Sequence, residues 1–198
     1  MDVKQHPSPN FGPRRDGLRP SLVVIHYTAM EDAAAALERL CDATAEVSAH
    51  YLISGQGCVT QMVAEDMRAW HAGQGEWAGL KDLNSRSIGI ELDNRGTHPF
   101  SEPQMSALET LLRGIMDRWG IPPAGVIGHS DMAPGRKMDP GPKFDWARLA
   151  RQGMAALGHV APETAVPLPD NFRATAKQAG FTAEAELETL LHTTRLRF

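Results

Sequence analysis

Short runs of β-branched and other apolar residues, separated by longer segments with helical spacing, constrain the fold of this chain most. Residues 21–27 (SLVVIHY), 87–93 (SIGIELD) and 126–128 (VIG) each suit a buried strand and are too short for a typical helix. Two further apolar runs, 50–54 and 58–63, are separated by Gly-Gln-Gly and predict a hairpin. Together these runs predict one central β-sheet.

The segments between the strands predict helices that cover this sheet. Residues 31–41 are rich in alanine and leucine. A second helix is expected to begin after Ser101, which caps it, and to stop at Gly120. A third is expected to follow Asp145 and to reach about residue 158. The order of strands and helices predicts an α/β (α+β) fold, in which helices flank a central mixed β-sheet.

A composition break with three prolines at residues 159–170 divides the chain. We predict a main domain over residues 1–158 and a linker with a short helical segment over residues 159–198. Residues 171–198 predict two short amphipathic helices broken at Gly180, which are too short to form a core alone and must pack on the main domain. Three other segments are expected to be irregular: an extended lead-in at 1–20, and loops at 64–86 and 130–144.

The composition excludes several partners. The chain has 198 residues and a formal net charge of -4 without a basic block, which argues against nucleic acid. No window approaches the roughly 20 apolar residues of a membrane span, so no membrane is expected as a partner. The first residues contain no apolar run typical of a signal peptide, which predicts a cytoplasmic location if Met1 is the native start. Cys41 and Cys58 could pair, but they are expected to be buried free thiols, and the chain is expected to be a monomer.

Three polar side chains stand close to strand ends. His26 closes the run SLVVIH, His129 directly follows the run VIG, and Asp139 lies ten residues further on, in the loop GRKMDPGP. Strand ends are rigid and open toward loops, so these side chains can converge on one point. Two imidazoles and one carboxylate with an open fourth position form a well-attested catalytic zinc site. A single histidine is more often a surface or hydrogen-bonded residue, so the hypothesis depends on all three together.

Glu91 and Lys137 are the candidate catalytic residues. Glu91 lies inside the strand SIGIEL, where it shares one side with Gly89, opposite the two isoleucines. That side is either solvated, which would make Glu91 an ordinary surface residue, or lines a cleft, where Glu91 would act as a general base. Lys137 is either a solvated lysine or lies near the metal beside Asp139, where it would stabilise an oxyanion.

Five stretches in order, IHYTAM, SAHYLI, AWHAG, SIGIELDNRG and GHSDMAPGRKMDPGPKFDW, resemble the signatures of the type-2 N-acetylmuramoyl-L-alanine amidases, and most closely the AmpD/AmiD group. Peptidoglycan recognition proteins are more distant relatives. The resemblance, which runs from about His6 to Ala150, implies an amidase and peptidoglycan-recognition-protein-like fold. It also implies hydrolysis of the amide between the lactyl group of (anhydro-)N-acetylmuramic acid and L-alanine of the stem peptide, in peptidoglycan turnover and recycling.

The same resemblance implies the cofactor and the roles of individual residues. It places one zinc ion (Zn2+) per chain on His26, His129 and Asp139, and a muropeptide or peptidoglycan fragment as the substrate. It places the catalytic glutamate at Glu91 and the catalytic lysine at Lys137.

Substrate contacts are also implied by the resemblance. Trp70 and His71 in AWHAG are expected beside the cleft, although Trp70 equally suits core packing. Asn84 matches a family position and is expected to hydrogen-bond the glycopeptide. Arg86 and Arg95 are candidates for binding the carboxylates of the stem peptide, although surface arginines are common.

The end of the chain departs from the family pattern. Residues 171–198 resemble a truncated form of the helical peptidoglycan-binding module that follows the catalytic domain in AmiD-type enzymes, and we expect them to pack rather than to bind polymer. Two alternatives to the amidase stay open: a zinc-free module that only binds muropeptide, and a metal hydrolase that cuts within the stem peptide.

Overall fold

The computed structural model describes residues 2–157 and 169–198. Its strands are β1 (Val3–Gln5), β2 (Phe11–Pro13), β3 (Leu22–Tyr27), β4 (Tyr51–Ile53), β5 (Val59–Gln61), β6 (Met67–Ala69), β7 (Ser87–Leu92) and β8 (Val126–Gly128). Its α-helices are α1 (Ala33–Cys41), α2 (Leu83–Arg86), α3 (Glu102–Trp119), α4 (His129–Met132), α5 (Trp146–Arg151), α6 (Pro169–Gln178) and α7 (Leu187–Arg195). Within the described ranges, no helix has the length and apolar character needed to cross a membrane.

Six strands form one mixed sheet in the order β1-β5-β4-β7-β3-β8, and β2 pairs with β6 in a separate antiparallel ribbon. The strands β4, β7, β3 and β8 run parallel to one another. The strands β4 and β5 form the antiparallel hairpin that the Gly-Gln-Gly sequence predicts. The predicted fold class, a central mixed sheet flanked by helices, is confirmed.

Alternation along β3 separates two layers of the core. Val23 and Ile25 are fully buried against side chains of α3 and α5 on one face of the sheet. Leu22 and Val24 lie on the other face, in a cluster with side chains of α4, α6 and α7. Burying each such side chain stabilises the fold by about 1.5–3 kcal/mol. His26 is the next residue on that second face, so the apolar layer ends at an imidazole.

Two helices begin within two residues of the starts that the sequence predicts. The Ser101 hydroxyl accepts the Gln104 N–H (3.3 Å) at the start of α3, and Gly120 adopts a left-handed conformation (φ 64°) at its end. The Asp32 carboxylate accepts the Ala35 N–H (2.9 Å) at the start of α1. The predicted helices over residues 31–41 and 101–119 are therefore confirmed.

The Glu65 carboxylate joins the hairpin to the end of α3. It accepts hydrogen bonds from the Tyr51 hydroxyl (2.7 Å), the Arg118 guanidinium (2.6 Å) and the Trp119 indole N–H (2.6 Å). Burial alone would raise the pKa of Glu65, but these hydrogen bonds outweigh burial and lower the pKa below its ordinary value.

The irregular segments contain more regular structure than expected. The lead-in over residues 1–20 contributes β1, which pairs with β5, and β2, which pairs with β6. The loop over residues 64–86 contains β6 and α2, and α4 extends into residues 130–144. These elements are three or four residues long and depend on partners distant in sequence, so local composition does not reveal them.

Two further expectations are wrong. The helix that Asp145 caps ends at Arg151 rather than near residue 158, because the chain turns at Gly153, which has a positive φ of 71°. The cysteines do not pair with each other in the described structure, but they are not buried either: Cys58 is exposed and Cys41 only partly covered.

The C-terminal helices pack on the second face of the sheet. Trp77 meets Phe181 edge to face, with ring centroids 5.0 Å apart, and the Ala78 N–H donates to the Gly180 carbonyl (2.8 Å). A Cβ atom at Gly180, whose φ is 111°, would overlap the Trp77 ring, so this contact requires glycine. The predicted boundary at residues 158 and 159 and the linker that follows it lie outside the described residues.

Candidate metal centre and active-site cleft

Parallel strand order brings the candidate side chains to one edge of the sheet. The strand β3 lies between β7 and β8, and all three run in the same direction. His26 on β3 stands opposite Glu91 on β7. Ile25 stands opposite Gly128, so His129 follows directly beside His26, and the two ring centroids are 4.5 Å apart.

An open cleft of about 440 Å³ lies over this edge. A volume of this order suits a small glycopeptide. The five residues predicted to bind metal or to catalyse all line it: His26, Glu91, His129, Lys137 and Asp139. The sequence-based grouping of these five residues in one site therefore agrees with their placement in the structure.

The three candidate metal ligands meet in the floor of the cleft. Asp139 Oδ2 lies 2.8 Å from His26 Nδ1 and 3.1 Å from His129 Nδ1. All three residues are buried, and one ligand atom from each lies within 4.8 Å of the others. The Asp139 carbonyl accepts the Ser130 N–H (2.9 Å), which fixes the loop of the carboxylate against the residues that follow β8.

The hydrogen-bond partners of His129 indicate what this group of atoms could bind. His129 Nε2 lies 2.9 Å from the Ala72 carbonyl oxygen, which only accepts, so Nε2 carries the proton. In the form in which imidazole binds a metal, Nδ1 then presents a lone pair to the Asp139 carboxylate. Two acceptors this close repel each other unless a cation lies between them. The donor set therefore fits a bound metal ion, and two imidazoles with one carboxylate suit zinc.

The electrostatics of His26 agree with metal binding. Burial, followed by the neighbouring His129, lowers the pKa of His26 to about 4, despite the nearby Asp139 carboxylate. The ring is therefore neutral near pH 7, which is the form in which imidazole binds a metal.

Glu91 stands beside the metal site with a carboxyl oxygen left free. Its Oε2 atom is buried and accepts no hydrogen bond from the described residues. Burial, followed by the charge of Asp139, raises the pKa of Glu91 well above its ordinary value, and Lys137 opposes this rise. Since Glu91 lines the cleft, this side of β7 is a cleft wall, and the alternative of a solvated face is wrong.

Three cationic side chains stand at the rim of the cleft: Arg39, Arg136 and Lys137. Lys137 is exposed and lies two residues before Asp139. Arg136, which the sequence analysis did not single out, also lines the cleft and donates to the carbonyls of Ala72 (3.0 Å) and Gln74. Its place next to Lys137 in the loop GRKMD is the sequence signal that could have identified it.

Trp70 and His71 both line the cleft, as expected. Trp70 is partly buried, so it contributes to the wall without belonging to the core. His71 lies deeper: its Nδ1 is 3.0 Å from His26 Nε2, and its Nε2 is 3.2 Å from the Ser87 hydroxyl. Burial, followed by its histidine neighbours, lowers the pKa of His71 well below its ordinary value, so the ring is neutral.

The other three predicted substrate contacts are not among the residues that line the cleft. Asn84 is buried, and its Oδ1 accepts the backbone N–H groups of residues 71 (3.0 Å) and 72 (2.8 Å). Arg86 donates to a backbone carbonyl of its own loop (3.0 Å). Arg95 lies on the surface, 3.8 Å from the Glu31 carboxylate.

Comparison with known proteins agrees with the motifs. A family profile described as N-acetylmuramoyl-L-alanine amidase (Amidase_2) matches residues 16–142. The chain is 43% identical over 154 residues to the N-acetylmuramoyl-L-alanine amidase AmiD of Escherichia coli (strain K12), covering 70% of this chain and 55% of AmiD. It is 36% identical over 166 residues to the 1,6-anhydro-N-acetylmuramyl-L-alanine amidase AmpD of the same strain, covering 75% of this chain and 91% of AmpD. The chain thus spans about half the length of AmiD and most of AmpD.

Solved structures share the fold over almost the whole chain. The complex of Escherichia coli AmiD with anhydro-N-acetylmuramic acid-L-Ala-D-gamma-Glu-L-Lys superposes with a TM-score of 0.81 at 32% identity, covering 98% of this chain and 84% of that one. AMPDH3 from Pseudomonas aeruginosa with an anhydromuramic pentapeptide gives a TM-score of 0.80 at 31% identity, covering 98% and 86%. Profile, identity and structure agree, and the chain belongs to the N-acetylmuramoyl-L-alanine amidase (Amidase_2) family.

Proposed function

We propose that this chain is a zinc-dependent N-acetylmuramoyl-L-alanine amidase, which hydrolyses the amide between the lactyl group of (anhydro-)N-acetylmuramic acid and L-alanine of the stem peptide. The observation that carries the proposal is the convergence of His26 Nδ1, His129 Nδ1 and Asp139 Oδ2 in the floor of the cleft. A zinc ion held by these atoms would supply Lewis acidity, which polarises a carbonyl group and lowers the pKa of water.

The protein's own side chains move the protons and stabilise charge. Glu91 takes the proton from the attacking water, since its free carboxyl oxygen and raised pKa suit a group that accepts a proton and gives it up again. The same carboxyl then delivers the proton to the departing amine of L-alanine. Lys137 at the rim places a positive charge near the carbonyl under attack, where it stabilises the developing oxyanion.

The relatives' names guide the choice of substrate. AmpD is named for 1,6-anhydro-N-acetylmuramyl-L-alanine, and the AmiD and AMPDH3 complexes contain anhydromuramic peptides. We therefore propose anhydromuropeptides as substrates, with Trp70 and His71 at the cleft wall. Asn84, Arg86 and Arg95 stay predictions as substrate contacts, and the two arginines would reach only a stem peptide that extends beyond the cleft. The cytoplasmic location and the monomeric state also stay predictions.

The test is incubation of the zinc-loaded protein with an anhydromuramyl tripeptide and with its reducing-end counterpart, followed by mass spectrometry of the products. We expect the free sugar and the intact stem peptide, with soluble fragments cleaved faster than insoluble sacculi. The matched control is Glu91→Gln, which keeps the shape of the site but cannot accept a proton. Fragments cut within the stem peptide would contradict the proposal, and so would binding without cleavage.

A further inference from the structure

The residues around the metal site suggest how its two histidines are oriented. Every metal-binding imidazole has a second nitrogen, whose hydrogen-bond partner fixes the ring and decides which nitrogen keeps its lone pair. For His129 that partner is the Ala72 carbonyl (2.9 Å), and for His26 it is His71 Nδ1 (3.0 Å). The residues that contact the second nitrogens of the two histidines are therefore neighbours in the chain, the dipeptide His71–Ala72.

A chain of hydrogen bonds decides where the protons of His26 and His71 lie. Ser87 Oγ is 2.6 Å from the Leu83 carbonyl, which only accepts, so the hydroxyl proton points there. Ser87 Oγ must then accept from His71 Nε2, which lies 3.2 Å away. With its proton on Nε2, His71 presents a lone pair from Nδ1, so the proton between the two rings belongs to His26 Nε2. The lone pair of His26 Nδ1 consequently faces the site shared with Asp139.

Gly89 and Asn84 hold the His71–Ala72 dipeptide in this place. A Cβ atom at position 89 would lie 2.5 Å from His71 Cγ, so the ring fits because β7 carries a glycine there. The Asn84 Oδ1 atom accepts both backbone N–H groups of the dipeptide, at 3.0 and 2.8 Å. The dipeptide is thus fixed by buried polar contacts rather than by its position in a loop.

We propose that His71, supported by Ser87, is a positioning residue of the metal centre: it accepts the Nε2 proton of His26 and so turns the His26 Nδ1 lone pair toward the metal. This inference rests on the proposed function, because it requires that the group of three ligands binds zinc. In this proposal His71 supports the metal centre from beneath the substrate, and Asn84 holds the His71–Ala72 dipeptide in place.

The test compares zinc affinities, measured by competition with a chromophoric chelator, for variants that differ in one hydrogen bond. His71→Leu removes the acceptor at similar volume and should weaken zinc binding by about 10–100-fold. His71→Asn can place an oxygen acceptor near the position of Nδ1 and should recover most of the loss. Ser87→Ala frees His71 to reverse its tautomer and should also weaken zinc binding. His6→Leu, which removes an exposed imidazole, is the matched control and should bind zinc as the unchanged protein does.

Further measurements separate positioning from a loss of fold. Thermal unfolding of the zinc-free variants identifies any variant that fails to fold. If His71→Leu does not fold, the zinc affinities of Ser87→Ala and His71→Asn are compared with that of the unchanged protein. Nitrogen-15 NMR of the zinc-loaded protein should show the proton of His26 on Nε2. Equal zinc affinity in His71→Leu, or a His26 proton on Nδ1, would overturn the inference while leaving the amidase proposal intact. An unchanged protein that binds no zinc would overturn both, whereas one that binds zinc without cleaving muropeptide would overturn the amidase proposal alone.

Discussion

Removing the guanidinium of Arg197 should destabilise the whole domain, although this residue stands next to the end of the chain. Arg197 Nη1 lies 2.5 Å from Asp131 Oδ2, and the side chains are 3% and 1% exposed. The guanidinium also donates to the carbonyls of Val126 (3.1 Å) and Ala156 (3.0 Å), and its central carbon lies 4.1 Å from the centroid of the Trp146 ring. One side chain thereby links the C-terminal segment to β8, α4 and α5.

The expected magnitude follows from what Arg197→Met leaves behind. Asp131 Oδ2 would keep one donor, the Gly128 N–H (2.8 Å), while its Oδ1 has no partner among the described residues. Removing one partner of a buried ion pair costs about 3–5 kcal/mol. For a chain of this size that cost corresponds to a fall of about 6–20 °C in melting temperature. The double variant Asp131→Asn with Arg197→Met should recover much of the loss, because no uncompensated charge stays buried.

The loss should depend on pH in a definite direction. Burial already raises the pKa of Asp131 above its ordinary value, against the opposing charge of Arg197, and removing that charge raises the pKa further. A carboxyl group whose pKa is raised by folding lowers the free energy of unfolding. This loss is smallest at pH values below its unfolded pKa of about 3.9 and largest above its folded pKa. The destabilisation by Arg197→Met should therefore be smaller at about pH 5 than at about pH 7.5.

Urea unfolding followed by tryptophan fluorescence measures both effects. The matched control is Arg195→Met, two residues earlier, where the arginine is exposed and a change within about 0.5 kcal/mol is expected. A loss in Arg197→Met no larger than in this control, or one that grows as the pH falls, would refute the reasoning. Since Asp131 lies two residues after His129, we also expect Arg197→Met to weaken zinc binding.

Four further predictions concern the site and the hairpin. Asp139→Ala should lose zinc, as measured by elemental analysis. It should also lose the stabilisation that bound zinc gives, which is about 2.7 kcal/mol at a free zinc concentration a hundred times the dissociation constant. In steady-state kinetics, Glu91→Gln should keep zinc and lose about 10²–10⁴-fold in kcat. Lys137→Ala should lose about 10²–10³-fold, with KM little changed in either variant. Glu65→Gln should lower the free energy of unfolding, measured in urea, by about 1.5–3 kcal/mol at pH values above the unfolded pKa of about 4.3. Because folding lowers the pKa of Glu65, that difference should shrink as the pH falls through its folded pKa.

Each of these predictions has an outcome that contradicts it. Zinc retained by Asp139→Ala, or lost from Glu91→Gln, would mean that the ligand set is misassigned. Near-normal turnover in Glu91→Gln would mean that another group is the base, and near-normal turnover in Lys137→Ala would mean that another group stabilises the oxyanion. A stability difference for Glu65→Gln that is the same at acid and neutral pH would mean that its charge contributes nothing.

The sequence predicted the elements whose pattern is local. The strands over residues 21–27 and 87–93 and the helix after Ser101 could be predicted because apolar alternation and capping lie in consecutive residues. The strand Val3–Gln5 could not, because only its pairing with Val59–Gln61 makes it a strand. The ligand trio was predictable for a related reason, since parallel strand ends lie at one edge of a sheet.

The surroundings of the trio could not be predicted in the same way. His71 and Asn84 lie in a segment without a clear period, and their roles depend on how that segment folds back under β3. A residue that binds the sugar and a residue that positions a metal ligand are both polar residues near the cleft. The sequence alone therefore does not distinguish these two roles. Arg86, the last residue of α2, and Arg95 do not line the cleft, because a long side chain can point in many directions, which composition does not fix.

The position of His26 shows how one alternating strand serves both the core and the site. Val23 and Ile25 face α3, so a shift of one residue along β3 would turn the imidazole into the apolar layer and away from Asp139. The neighbouring strand β7 obeys the same alternation, with Gly89 and Glu91 on the cleft side. A larger side chain at Gly89 would strengthen β7 but would occupy the space of the ring that positions His26. Glycine at this position is therefore a requirement of the proposed metal centre. A Gly89→Ala substitution should weaken zinc binding, measured by chelator competition, although it changes none of the proposed ligands.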